Sequence, residues 1–313
     1  GVCIPWSAGP GVVLPPWRRM WLRAKRRFFE EKEEALELLE RISVGGGGAG
    51  EVETADLDAI RLDVARFVKI IEKYQEQSTL LDPHLERMMA PLTGRAGAII
   101  RGFHGRHLAQ REDGGEAFPF QCAREPQLHC IFQIVYQLCR CRGQKCVAKF
   151  FSHEVSDLEP TLFMLQSQDR HDHGSWETRY GLLLWLSMLV MVPFDIYTID
   201  SSVGGGDLVP ASSSPPPGSS ASLVSSIVTI CRDFLRDSGP TRDAAAICLA
   251  SLLTRPDMET VTLKEFLGLA EEILSQPGAM QEAGTQIFEV TGVLMTLAAV
   301  FKKGHRDRLL AVA

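Results

Sequence analysis

Apolar residues recur at helical spacing along most of the chain. Over residues 20–43, leucines and an isoleucine return every three or four positions between glutamates and arginines, which is typical of a charged amphipathic helix. The same spacing predicts a helix over 55–77 and a further helix that starts at Asp82-Pro83, where a first-turn proline costs little. No run of alternating β-branched residues bounded by turns occurs, so we expect no β-sheet.

Two stretches interrupt this helical pattern. Residues 93–127 lose apolar periodicity and are rich in glycine, arginine, histidine and proline, so they are predicted as a long irregular insertion. Residues 201–220 are Ser/Gly/Pro-rich and are predicted as an exposed loop or linker. Periodicity resumes at Leu128 and breaks at Gly143 before a short apolar helix. The later predicted helices cover 155–166, 176–192, 221–237, 241–254, 261–275 and 280–302.

Consecutive helices joined by short loops determine the expected fold class. Such pairs cannot each close a core, so they stack. We therefore predict an all-α protein, an α-solenoid of HEAT/armadillo-like antiparallel helix pairs, with a globular helical bundle as the alternative. The chain is expected to begin with a charged helix and a Gly-rich linker at 1–54, followed by helical repeats that contain the insertion at 55–200. The loop at 201–220 then precedes repeats that continue the solenoid at 221–313.

Composition and charge exclude several classes of protein. The 313 residues carry 33 Lys and Arg against 39 Asp and Glu, a balance that argues against a dedicated nucleic-acid binder. The longest charge-free run, 180–194, is shorter than the roughly 20 residues that a bilayer requires, so no membrane span is expected. Eight cysteines are too few for a disulfide scaffold of this length and indicate reduced thiols in a cytosolic protein. Glutamates directly follow the basic stretch at 18–27, which favours a solvated helix start over a transit peptide.

Motifs that suggest nucleotide or metal binding occur here without the neighbouring residues or secondary structure that such sites require. The segment 45–50 has the glycine spacing of a dinucleotide loop, but it follows a charged helix rather than a strand. His153-Glu154 begins like a zinc-protease helix, yet Asp157 stands where the second histidine is required. The sequence contains no phosphate-binding loop and no defensible nucleophile–base pair. We therefore expect no catalytic residue and no bound cofactor.

A cysteine-rich segment is the strongest candidate for a metal-binding site. Its possible ligands are His129, Cys130, Cys139, Cys141 and Cys146. The segment has no second C-x₂-C pair, and it has the pattern of one apolar helix with a glycine break. Free thiols are the favoured interpretation, and zinc is kept as an alternative hypothesis.

A polar turn precedes the most apolar helix of the chain. His171 and His173, with the neighbouring aspartates 169 and 172, could hold a cation weakly, but a solvated turn with Ser175 as helix N-cap is favoured. The run 176–180 (WETRY) could form a binding edge, because Trp, Arg and Tyr are frequent interface anchors. A packing corner in which Arg179 satisfies helix-end carbonyls is favoured, since the helix that follows is clearly core.

A series of short runs, in a fixed order along the chain, carries a family resemblance. The runs are 73–77 (KYQEQ), 80–85 (LLDPHL), 150–160 (FFSHEVSDLEP), 176–180 (WETRY), 182–187 (LLLWLS), 192–195 (VPFD), 242–246 (RDAAA) and 253–257 (LTRPD). Together they resemble the N-terminal region of the tubulin-folding cofactor D family, whose chains are several times longer. The resemblance covers about 58–92, 128–200 and 221–302, while 1–50 and 93–127 depart from the family pattern.

This resemblance implies a non-enzymatic chaperone built from HEAT/armadillo repeats. Such a protein captures β-tubulin and, with companion cofactors C and E, assembles the α/β-tubulin heterodimer and stimulates GTP hydrolysis by tubulin. Such a protein also binds an ARF-like small GTPase. The resemblance further implies a cytoplasmic, cytoskeleton-associated location. The resemblance assigns no individual partner-binding residue. The alternative is a generic α-solenoid interaction scaffold that is not specific to tubulin.

Overall fold

A computed structural model shows a succession of α-helices joined by short connections and 3₁₀ turns. It describes residues 28–44, 54–112, 125–193, 196, 222–258, 261–275, 285–307 and 309. The α-helices are α1 (Lys32–Val44), α2 (Thr54–Glu72), α3 (Leu85–Glu112), α4 (Pro126–Arg142), α5 (Gln144–Ala148), α6 (Leu158–Gln166), α7 (Trp176–Leu189), α8 (Leu223–Phe234), α9 (Pro240–Leu253), α10 (Thr262–Ser275) and α11 (Thr285–Lys303). No strand occurs among these residues, and the predicted all-α class is confirmed.

The helices lie in two rows. Helices α2, α4, α7, α9 and α11 pack side by side in one row, which we call the α7 row. Helices α1, α3, α6 and α8 form the second row, and each packs on the helix that pairs with it in the α7 row. Helix α10 packs on α11 in the same way. Stacked helix pairs of this kind make an α-solenoid, so the predicted architecture is confirmed.

Helix α7 is the most deeply buried helix of the α7 row. Every side chain from Thr178 to Ser187 is buried, because α4, α6 and α9 all pack against this helix. The indole of Trp185 stacks on Phe151 and donates a hydrogen bond to the carbonyl oxygen of Ser152, 3.1 Å away. A helix that is apolar nearly all round is a central element, as the sequence predicted.

The structure corrects the predicted insertion at 93–127. Helix α3 runs to Glu112 and α4 begins at Pro126, so the prediction of an irregular segment is wrong at both ends. Residues 113–124 lie outside the described part of the chain. Leu92, Ala96 and Ile100 recur every four residues and are buried. These core contacts outweigh the roughly 1 kcal/mol that each glycine costs within a helix.

Other predicted boundaries differ from the structure by a few residues. Pro83 lies in the 3₁₀ segment Gln75–His84, and α3 begins after it at Leu85. Gly143 ends α4 as predicted, with a φ of +96° that glycine adopts without strain. Three predicted segments lie outside the described residues: 18–27, 45–48 and 201–220.

Replacement of Gly181 on α7 should destabilise the fold. A Cβ at this position would lie 1.9 Å from Cδ1 of Phe132 on α4, so Gly181→Ala forces the two helices apart. Overpacking of this kind typically costs about 1–3 kcal/mol, which thermal or chemical unfolding would detect. Gly268→Ala on α10 is the matched control, because a Cβ there meets nothing within 4 Å. Equal stability of Gly181→Ala and the unmodified chain would contradict the close approach of α4 and α7.

Candidate partner-binding surface

The cysteine-rich segment does not assemble a metal site. Cys130 and Cys139 are buried in the core, while Cys141 and Cys146 are half-buried. Within the described residues, no group of three or more His, Cys, Asp or Glu side chains is placed to hold a metal ion. His129 instead faces Thr178, with 3.1 Å between Nδ1 and Oγ1. The arrangement therefore gives no support to the zinc hypothesis.

Burial keeps the Cys139 thiol unreactive. Desolvation raises the pKa of Cys139 to about 12, and the neighbouring phenol of Tyr180 lowers it by a smaller amount. The thiol is therefore protonated near neutral pH, whereas both nucleophilic attack and zinc binding require the thiolate.

The polar turn before α7 is organised by Arg179. This side chain is only 2% exposed, and its guanidinium donates to the backbone oxygens of Asp169 and Asp172 at 2.7 and 2.8 Å. It also donates to the hydroxyl of Ser175 at 3.2 Å. The packing-corner interpretation is thus confirmed. Ser175 is the N-cap residue of α7, as predicted, but its hydroxyl caps no helix N–H and donates instead to Asp172.

A second arginine joins α7 to α9, which the sequence did not reveal. Arg255 donates from Nη1 to the backbone oxygens of Val190 and Val192, at 2.7 and 2.6 Å. The rest of its guanidinium binds both carboxylate oxygens of Asp257. The spacing R-x-D was the available signal, since an aspartate two residues on can hold the guanidinium in place. Val192, Arg255 and Asp257 lie in runs that carry the family resemblance, so part of that resemblance reflects contacts between helices.

An aromatic cluster reaches the surface where α4, α7 and α9 meet. The ring of Tyr136 packs edge-to-face on Trp176 and on Tyr180, with centroids 4.6 and 5.2 Å apart. Beside it lies an open cleft of about 240 Å³. Its lining includes Tyr136, Cys139, Arg140, Gln144, Tyr180 and Asp243. One member of the run 176–180, Tyr180, therefore lines a surface cleft, although that run also forms the packing corner.

The last described helix pair presents an apolar surface. Ile287, Leu294 and Phe301 are exposed on α11 and recur every seven residues, so they lie on one face of the helix. Leu274 of α10 and Val261 just before it are exposed as well. Exposed apolar side chains that share one helix face are a feature of interaction sites.

Comparison with known proteins identifies the family. Residues 71–274 match the family described as "Tubulin-specific chaperone D-like, ARM repeat", a range that runs from the end of α2 to the end of α10. The chain belongs to this family. The match extends over the packing corner, the Arg255 contacts and the aromatic cleft alike.

Two curated relatives show how much of the family's length this chain represents. Tubulin-specific chaperone D of Dictyostelium discoideum is 24% identical over 91% of this chain, which corresponds to 23% of the relative. Tubulin-folding cofactor D of Schizosaccharomyces pombe is 27% identical over 41% of this chain and 10% of the relative. The chain thus spans about a quarter or less of these relatives. No solved structure matches it significantly.

None of the described helices is both long enough and apolar enough to cross a bilayer.

His129 makes the stability of the family domain depend on pH. Burial lowers the pKa of His129, the charges of Arg61 and Arg179 lower it further, and Asp172 opposes them. The neutral imidazole is therefore the form that the fold accommodates. As the pH falls through 6.5, the ordinary value, the unfolded chain binds a proton that the folded chain resists. The free energy of unfolding then decreases as the pH decreases.

The variant His129→Gln should reduce this pH dependence. Between pH 7.5 and 5.5, one such proton contributes a slope of at most about 1.4 kcal/mol per pH unit, and the variant loses that contribution. Chemical denaturation at several pH values measures the slope. His153→Gln changes an exposed histidine and is the control. An unchanged slope in His129→Gln would show that His129 does not contribute.

Proposed function

We propose that this chain forms part of a tubulin-folding chaperone that binds β-tubulin and takes part in assembly of the α/β-tubulin heterodimer. The observation that carries the proposal is the family match over 71–274, which includes most of the α7 row. Both curated relatives are named for tubulin chaperoning or folding.

The physical character of the described surface supports this proposal. A chaperone holds its client by binding energy and needs a broad contact area, because stable protein–protein interfaces bury about 1,200–2,000 Å². A row of stacked repeats offers such an area. The aromatic cleft lies within the matched family range, and the apolar face of α11 follows it in the chain. The chain would act without bond chemistry of its own.

The proposal also includes the partner proteins of the chaperone. In it, the chain works with cofactors C and E, binds an ARF-like small GTPase, and stimulates GTP hydrolysis by tubulin only as part of the complete assembly. The nucleotide and the hydrolytic residues belong to tubulin, which fits a sequence without a phosphate-binding loop. The proposed location is the cytoplasm, in association with the cytoskeleton.

Co-purification with β-tubulin tests the proposal. The 313-residue chain is mixed with tubulin in reducing buffer and passed over a size-exclusion column, with an unrelated acidic protein as the control client. We expect the chain and β-tubulin to elute together, ahead of either protein alone, while the control client elutes separately.

Absence of a complex contradicts the proposal only if the chain is folded. If circular dichroism and light scattering show a helical monomer and no complex forms, these residues do not hold the tubulin-binding surface. Equal binding of tubulin and the control client would favour the general interaction scaffold instead.

A further inference from the structure

The cleft between α4, α7 and α9 has the chemistry of a side-chain binding site. Two of its walls are the rings of Tyr136 and Tyr180, which meet edge-to-face at 5.2 Å. Aromatic faces attract cations, because the electron-rich face of the ring is negative. Its volume of about 240 Å³ is sufficient for one long side chain. The cleft therefore offers both space and aromatic surface to a single entering group.

Asp243 supplies a negative charge at this cleft. Its Oδ1 atom is shielded from solvent and receives no hydrogen bond from any described residue. The side chain as a whole is 44% exposed, so its accessible surface lies on the remaining atoms, Oδ2 included. Nη2 of Arg242 approaches Oδ1 only to 3.5 Å, which is too long for a strong hydrogen bond. A carboxylate in this situation has unused acceptor capacity.

The other charged residue at the cleft is directed elsewhere. Arg140 lies on α4, and its guanidinium is 4.0 Å from the carboxylate of Glu72 on α2. Helices α2 and α7 are the two neighbours of α4 in the α7 row, so this long ion pair lies on the α2 side of α4, whereas Asp243 is on α9, beyond α7. Arg140 also lines the cleft.

The floor of the cleft carries no charge. Cys139 and Tyr180 both line the cleft, and burial raises the pKa of both groups. Both are therefore neutral at physiological pH. Asp243 is left as the group that determines which charge the cleft accepts.

We propose that the cleft formed by Tyr136, Tyr180 and Asp243 binds an arginine side chain presented by a partner protein. The planar guanidinium stacks on aromatic rings and donates paired hydrogen bonds to a carboxylate, which suits this combination of groups better than the compact, strongly hydrated ammonium of lysine. The inference goes beyond the proposed tubulin chaperone activity and does not depend on which protein supplies the arginine.

The tyrosines themselves provide a direct readout. The chain has four, Tyr74, Tyr136, Tyr180 and Tyr197, so the 3-fluorotyrosine-labelled protein gives four ¹⁹F signals that Tyr→Phe variants assign. The probe is the peptide acetyl-Gly-Arg-Gly-amide, with the citrulline and lysine peptides as matched comparisons. We expect saturable, millimolar binding of the arginine peptide that shifts the Tyr136 and Tyr180 signals and leaves that of Tyr74 in place. The citrulline peptide, which lacks the charge, should produce no shift.

Three variants make the test specific. Asp243→Asn keeps the shape of the cleft and should weaken binding at least tenfold, whereas Glu271→Gln removes an exposed carboxylate on α10 and should leave binding unchanged. Glu72→Gln releases Arg140 to compete for Asp243 and should also weaken binding. Equal shifts with the citrulline or lysine peptide, or unchanged binding to Asp243→Asn, would overturn the proposal. Because tubulin is absent, this result is independent of the co-purification experiment.

Discussion

The hydrogen bonds of Arg179 to the turn before α7 are the contact on which the rest of the fold depends. A buried guanidinium is costly unless its donors are used. Here two backbone oxygens and one hydroxyl accept from Nη1 and Nη2 of Arg179, while its Nε has no partner among the described residues. These bonds fix the start of α7. Since α7 packs on α4, α6 and α9, its position determines how the neighbouring helix pairs stack. Arg255 repeats the arrangement at the other end, where it joins the end of α7 to that of α9.

The contacts that define the fold and the surface available to partners are separate sets of residues. The family resemblance includes Arg179, Trp185 and Arg255, whose side chains are turned inward to carbonyl groups. The candidate surface consists of side chains on the outer edge of the α7 row, such as Tyr136 and Asp243, together with the apolar face of α11. A match to the family therefore establishes the architecture directly, while partner binding requires its own experiments.

Sequence patterns predicted the elements that are governed by local periodicity. The all-round apolar pattern of α7 and the glycine break at Gly143 are both present in the structure. The helix over 93–112 was not predicted, because its glycines and arginines interrupt the apolar pattern in the sequence. Packing against other helices stabilises this helix despite its glycines. The cleft could not be predicted from the sequence either, because Tyr136 and Asp243 are brought together only by the stacking of α4 and α9 on α7. Its one early signal was the aromatic run at 176–180.

The stability of Arg179→Met tests the central claim most directly. This variant keeps an apolar stem of similar length but removes the charged donor from the oxygens of Asp169 and Asp172, which retain only backbone N–H donors at 3.3 Å and the Ser175 hydroxyl at 3.4 Å. Each lost partner typically costs about 1–3 kcal/mol, so chemical denaturation should show a decrease of about 2–4 kcal/mol in the free energy of unfolding. Arg66→Met, which removes an exposed ion pair with Glu34, should change stability by less than about 1 kcal/mol. A similarly small change in Arg179→Met would contradict the account.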